Sequence, residues 1–374
     1  MHIFRRRGDS VRYPIVLIHG LYGYGREDET KKSDLLPYWG YKGSNLVEHL
    51  QSEGYEVYYP SLGPYNSAWD RACILWAYLF GGRVDYGEAH SRTKGHARYG
   101  GTYPGVLKDL GKTKAHAKID LFGHSFGGAT VKEVSSLFTQ GDEQEKKLHG
   151  HSPLFDGGHG DLIHTVTTLS GVNNGTTAAT LTAYTGLSFA TVMGVMLSEL
   201  TSADSPEQCD YMLSQWSGGP IAKGIRYNLN DTDNIAMEMD INTVQRKVNP
   251  RQVVNKHTYY FAQRAFKSPS KMTGACRYCG SMIELSANIT GNWYKRDDLG
   301  WRRNDGFVNL EGQSAPLNQK YKDGYWSGTD FKPGIWYNMP PKIEDHIYWC
   351  GHSGCIQDLY NDFDRMLSLY DKLK

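Results

Sequence analysis

Apolar positions along the chain follow two rhythms. Unbroken apolar runs mark one of them. "YPIVLIHG" (Tyr13–Gly20) is continuous, as expected of a strand buried on both faces of a parallel sheet. "YEVYYPSLG" (Tyr55–Gly63), "KIDLFG" (Lys118–Gly123), "LIHTVTTLSG" (Leu162–Gly171) and "HTYYFAQ" (His257–Gln263) extend the strand series. The second rhythm is helical. "NLVEHLQSEG" (Asn45–Gly54) sets Leu46, Val47 and Leu50 on one face and stops at glycine. Ile356, Leu359, Tyr360, Phe363, Met366, Leu367, Tyr370 and Leu373 share one stripe, which predicts a closing helix. Strands separated by helical stretches predict an α/β fold with a central, mostly parallel sheet flanked by helices. No repeat and no linker divides the chain, so residues 1–374 are read as a single domain.

Two segments exceed what a minimal sheet needs. Ala68–Pro104 is rich in His, Gly, Arg and Tyr, and Thr180–Leu200 is apolar. Both are taken as insertions over the carboxyl edge of the sheet, where active sites lie in open α/β folds. Thr165 to Ser198 carries no charged residue, but Gly, Ser, Thr and Asn interrupt it throughout, so it is not read as a membrane span. A net charge of +1 gives no sign of a nucleic-acid partner. Aromatic residues make up 13% of the chain, with 26 tyrosines, which favours large contact surfaces or secretion. "PIVLIHG" follows the arginines at 5–7 too closely for a signal peptide, so the chain is read as a mature form without its leader.

The most informative stretch is "KIDLFGHSFGGATVKEV" (Lys118–Val134). A short strand runs into Gly123, His124, Ser125, Phe126, Gly127 and Gly128, and a helical pattern resumes at Val131. This is the context of a G-x-S-x-G elbow, whose sharp turn pushes the serine oxygen out over the sheet. A serine hydroxyl needs a base, and the base needs an orienting acid. In this class the chain order is Ser, acid, His. His346 in "KIEDHIYWCG" stands shortly before the closing helix, and Asp305 lies in the tight turn of "RRNDGFVNL". Asp345 is the rival acid and ranks below Asp305, because adjacent side chains rarely meet. The backbone N–H groups of Leu21 and Phe126 are the expected oxyanion donors.

"PIVLIHGLYGYGRE", the Trp69–Gly105 stretch, "GHSFGG", "SPLFDGG", "RNDGFVNL" and "EDHIYW" together resemble the large zinc-containing lipases of bacilli and staphylococci. The resemblance covers most of the chain and implies an α/β-hydrolase fold, secretion and hydrolysis of carboxylic esters. It implies Ser125, Asp305 and His346 as a triad, and a helical lid within about 175–220. It also implies a zinc subdomain at about 68–104, completed by about 225–245, with Asp70, His90, His96 and Asp240 as ligands. Four protein ligands make a closed, structural zinc site. The chain departs from the family pattern in places. Phe126 replaces a usual Gln and Gly123 a frequent Ala. Tyr348 and about Ser353 stand where the family's calcium site needs acids, so that site is expected to be absent.

The reading that follows is a secreted serine ester hydrolase, lipase or carboxylesterase, acting through an acyl-enzyme at an oil–water or polymer interface. Lid residues such as Leu187, Phe189, Val192 and Met196 would cover the acyl groove. The close alternative is an esterase whose open aromatic surface suits bulky or polymeric esters. A zinc-water hydrolase and an inactive binding module carry less weight, because a closed zinc has no open position and Ser, Asp and His are all in place. Cys276 with Cys279, and Cys350 with Cys355, form two close pairs. They are expected to clamp the loop after His346, as disulfides or as a second zinc site.

Overall fold

The computed structural model describes residues 12–31, 36–41, 43–64, 66–180, 235, 237–267, 299–327 and 330–373. Its strands are β1 (Ile15–Ile18), β2 (Gly40–Tyr41), β3 (Ser44–Asn45), β4 (Val57–Tyr58), β5 (Gly82–Asp85), β6 (Tyr99–Tyr103), β7 (Ile119–His124), β8 (Ile163–Leu169), β9 (Tyr259–Gln263), β10 (Tyr321–Asp323) and β11 (Trp336–Asn338). The longer helices are α1 (Arg26–Lys31), α2 (Leu46–Ser52), α3 (Ala68–Phe80), α4 (Glu88–Lys94), α5 (Phe126–Gln140) and α6 (Ile356–Tyr370).

Seven strands form the central sheet in the order β10-β11-β9-β8-β7-β1-β4, and every neighbouring pair in it is parallel. The α/β-hydrolase fold expected from the sequence is the fold found. All five strands read from apolar runs are in this sheet. Two further strands lack such a run: the edge strand β10, which is exposed along its whole length, and the short β11, which is buried between β10 and β9.

The sheet has two dry faces, and alternate residues of β1 go to each. Ile15 and Leu17 pack with Phe122 and with Phe363, Met366 and Leu367 of α6. Val16 and Ile18 pack with Leu121, α3 and α5 on the other side. The stripe along α6 faces the core as its spacing predicts, with Leu359, Phe363, Met366, Leu367 and Tyr370 buried. The stretch at 68–104 requires a correction. Its first part, α3, is buried at every residue except Trp76 and Phe80 and is a core helix. Only the antiparallel pair β5–β6 and the intervening α4 stand out from the sheet. No helix among the described residues is long and apolar enough to cross a membrane. The lid segment from 181 to 220, residues 225–234 and the pair Cys276 and Cys279 lie outside the described residues.

Candidate active site

Strand β7 hands the chain to α5 through Ser125, whose φ of 58° and ψ of −124° are costly for a residue with a side chain. Two glycines permit the turn. A Cβ at Gly123 would collide with the Gly127 carbonyl, and one at Gly127 with the Ile18 carbonyl. The serine is thus held at the carboxyl edge of the sheet, at the start of a helix whose first N–H groups have no partner within the helix.

Ser125 shares a solvent-open cavity with His346, Leu21, Val172, Phe307 and Ile347. His346 begins a short helical turn, His346–Cys350. Its Nδ1 lies 2.8 Å from Oδ2 of Asp305, and its backbone N–H donates to the Asp305 carbonyl at 2.9 Å. Asp305 is 1% exposed. Its Oδ1 accepts from the N–H groups of Phe307 (3.0 Å) and Val308 (2.8 Å), and Gln313 donates to Oδ2 at 3.1 Å. Every acceptor direction of this carboxylate is used, so it can hold one imidazole orientation. Asp345, the rival, points elsewhere, to the Ser353 hydroxyl and the Lys267 ammonium.

Leu21 lines the cavity, and Phe126 is the first residue of α5. The Arg71 guanidinium lies 5.4 Å from the Phe126 ring and donates to the His19 carbonyl just before the Leu21 loop. Burial first, and then the neighbouring Arg71, hold His19 well below the ordinary imidazole range.

A second cluster lies on α3 and the β5–β6 excursion. Asp70, His90 and His96 offer ligand atoms that all lie within 4.8 Å of one another. His90 Nε2 is 3.6 Å and His96 Nε2 3.9 Å from Oδ1 of Asp70. A tetrahedral ion with arms of about 2.1 Å needs ligand atoms about 3.4 Å apart, so both distances to Asp70 are close to that spacing. The donor chemistry also fits. His96 Nδ1 lies 2.9 Å from the Ala97 carbonyl, which can only accept. That tautomer places the proton on Nδ1 and turns a lone pair on Nε2 toward Asp70. The His90 ring is stacked on Trp69, with centroids 4.7 Å apart. None of the three lines the cavity with Ser125.

Asp240 must be corrected as a ligand. Its Oδ1 accepts from the Thr180 hydroxyl at 2.8 Å and its Oδ2 caps the following turn through the Thr243 N–H at 2.8 Å. An Asp before a helical turn is a common N-cap, and that local role won. Of the calcium-site positions, Tyr348 donates to Asp362 at 2.6 Å and Ser353 to Asp345. Cys350 is buried and its thiol donates to the Ile347 carbonyl at 3.3 Å, while Cys355 is exposed at the start of α6. Residues that sequence reasoning passed over also face the cavity, among them Tyr38, His124 and His352. Only His124 carried a signal, its place beside Ser125.

The sequence profile of the family described as "Lipase-like, C-terminal domain" matches residues 11–373. A lipase of Staphylococcus epidermidis is 33% identical over 358 residues, covering 90% of this chain and 50% of that protein. The chain thus spans about half the length of the curated relatives it matches. Lipase 1 of Pelosinus fermentans superposes with a TM-score of 0.82 at 30% identity, over 97% of this chain and 99% of that one. EstA of Clostridium botulinum does so with a TM-score of 0.76 at 32% identity, over 98% and 90%.

Proposed function

The chain belongs to the family of lipase-like C-terminal domains, and on that premise we propose that it is a secreted serine ester hydrolase acting on acyl lipids. The observation that carries the reading is the meeting, at one cavity, of an elbow serine with a histidine whose other nitrogen is held 2.8 Å from a buried carboxylate. In this proposal Ser125 Oγ attacks the ester carbonyl carbon as His346 takes its proton, while Asp305 holds the imidazole. The negative oxygen of the tetrahedral intermediate is stabilised by the N–H groups of Leu21 and Phe126. The intermediate collapses to an acyl-serine, and His346 gives its proton to the departing alcohol. Water, deprotonated by His346, then releases the acid. Val172, Met239, Phe307, Val308 and Ile347 supply apolar walls suited to an acyl chain. The proposed lid at about 175–220 would cover those walls in water.

Asp70, His90 and His96 would hold a zinc ion, with the fourth position taken by a donor other than Asp240. Such an ion would fasten the β5–β6 excursion to α3 rather than take part in the chemistry. The decisive experiment is Ser125→Ala, assayed on a p-nitrophenyl ester and on emulsified triacylglycerol. Turnover should fall by several orders of magnitude on both. A variant that keeps its rate would refute the serine mechanism.

A further inference from the structure

Beside Ser125 runs a hydrogen-bonded chain that the reaction as proposed does not use. The N–H of Gly20 donates to the Tyr38 hydroxyl at 2.7 Å. That hydroxyl lies 2.7 Å from His124 Nδ1. His124 Nε2 lies 2.8 Å from the carbonyl oxygen of His346. Elementary chemistry orders the protons. A carbonyl only accepts, so His124 Nε2 must carry hydrogen. A neutral imidazole then has a bare Nδ1, which accepts from the Tyr38 O–H. The phenol oxygen in turn accepts from Gly20. Every donor has an acceptor, and the chain runs in one direction, so each bond polarises the next. His124 is 2% exposed, and burial, then the nearby His346, keep it well below the usual imidazole range. Burial likewise pushes the Tyr38 phenol well above its ordinary value, so both groups stay neutral.

The ends of this chain matter. Gly20 precedes Leu21, the proposed oxyanion donor. His124 precedes the nucleophile, and the last acceptor is the backbone of the proposed base. The base is thereby pinned at three points: its N–H and Nδ1 by Asp305 and its carbonyl by His124. Tyr38 is itself anchored, since its own N–H donates to Glu29 Oε1 at 3.0 Å.

We infer that Tyr38 and His124 are positioning residues that lock the oxyanion loop, the nucleophile strand and the base into one register. The inference rests on the serine-hydrolase reading above. Both side chains spend their polar atoms on one another and on backbone, so they act through the reacting groups rather than on substrate.

The test is Tyr38→Phe, which deletes one oxygen and keeps the ring. Rates are normalised to active sites titrated with a fluorophosphonate, so that misfolded protein does not count. On p-nitrophenyl butyrate, kcat per titrated site should fall by about 10- to 100-fold with KM within about twofold, the pattern of reacting groups slightly misplaced. His124→Phe and the double variant complete a cycle. Because both side chains belong to one chain, the double variant should be no slower than the slower single one. Wild-type kcat per titrated site in Tyr38→Phe would overturn the inference, as would a fall in thermal midpoint without a fall in that rate. So would losses that multiply in the double variant. Ser125→Ala is run alongside to separate the failures. If it turns over, the hydrolase reading falls and the inference with it. If it is inactive while Tyr38→Phe is fully active, the positioning assignment alone falls.

Discussion

Asp305 and Asp345 are both acids close to His346, and the difference between them is one of direction. Asp305 reaches Nδ1 of the imidazole at 2.8 Å. Asp345 turns to Ser353 and Lys267. Asp305→Ala should therefore cost about a thousandfold or more in kcat, as expected when a histidine loses the acceptor that fixes its tautomer. Asp345→Ala should cost less than about tenfold, through a looser loop. Steady-state kinetics on one soluble ester checks both, and the reverse order would transfer the acid role to Asp345. The sequence favoured Asp305 because adjacent side chains diverge along a backbone, and in the fold it is Asp305 that lies against the imidazole. It misjudged Asp240 because an Asp at a ligand position and an Asp at an N-cap are spelled alike. Only the neighbours Thr180 and Thr243 tell them apart.

At the scale of elements, α5 carries an unusual residue. The Lys132 ammonium is fully enclosed, donating to the Asn173 carbonyl and to Asn249 Oδ1, each at 2.9 Å. It thus ties the helix that follows Ser125 to the loop after β8, whose Val172 lines the cavity. Burial brings its pKa down to about 7 from an ordinary 10.5. Between those values the unfolded chain binds a proton that the folded one does not, so stability due to this group rises with pH. At about pH 7 and below, both states are charged and the folded protein bears the desolvation cost. Lys132→Met should therefore be more damaging relative to the parent at pH 9 than at pH 7, by an increment on the order of 1–2 kcal/mol. Urea midpoints at the two pH values measure this. An increment that shrinks toward pH 9 contradicts the buried-lysine account.

For the whole molecule, the proposed zinc is a fastener between α3 and the β5–β6 excursion, away from the cavity. Protein purified without chelator should contain one zinc per chain by elemental analysis. Stripping it, or changing His90→Ala, should lower the thermal midpoint by several degrees, while turnover per titrated active site stays within about twofold. Absence of zinc in the untreated protein would remove the assignment, and a proportional loss of turnover per site would give the ion a chemical role.

The sequence by itself determined what depends on neighbours along the chain. Unbroken apolar runs specify strands buried on two faces, so β1, β7, β8 and β9 were legible before any coordinates. The stripe of α6 and the glycines around Ser125 were legible for the same reason, because period and steric tolerance are local properties. β10 and β11 were not legible, since β10 is exposed along its length and β11 owes its place to pairing with β9, far off in the chain. The tertiary structure alone decided which carboxylate meets His346, across a separation of 41 residues. It also decided that Tyr38 meets His124, 86 residues away. Hydrogen bonds between side chains act over about 3 Å of space and leave no period in the sequence, so only the folded chain could select these partners.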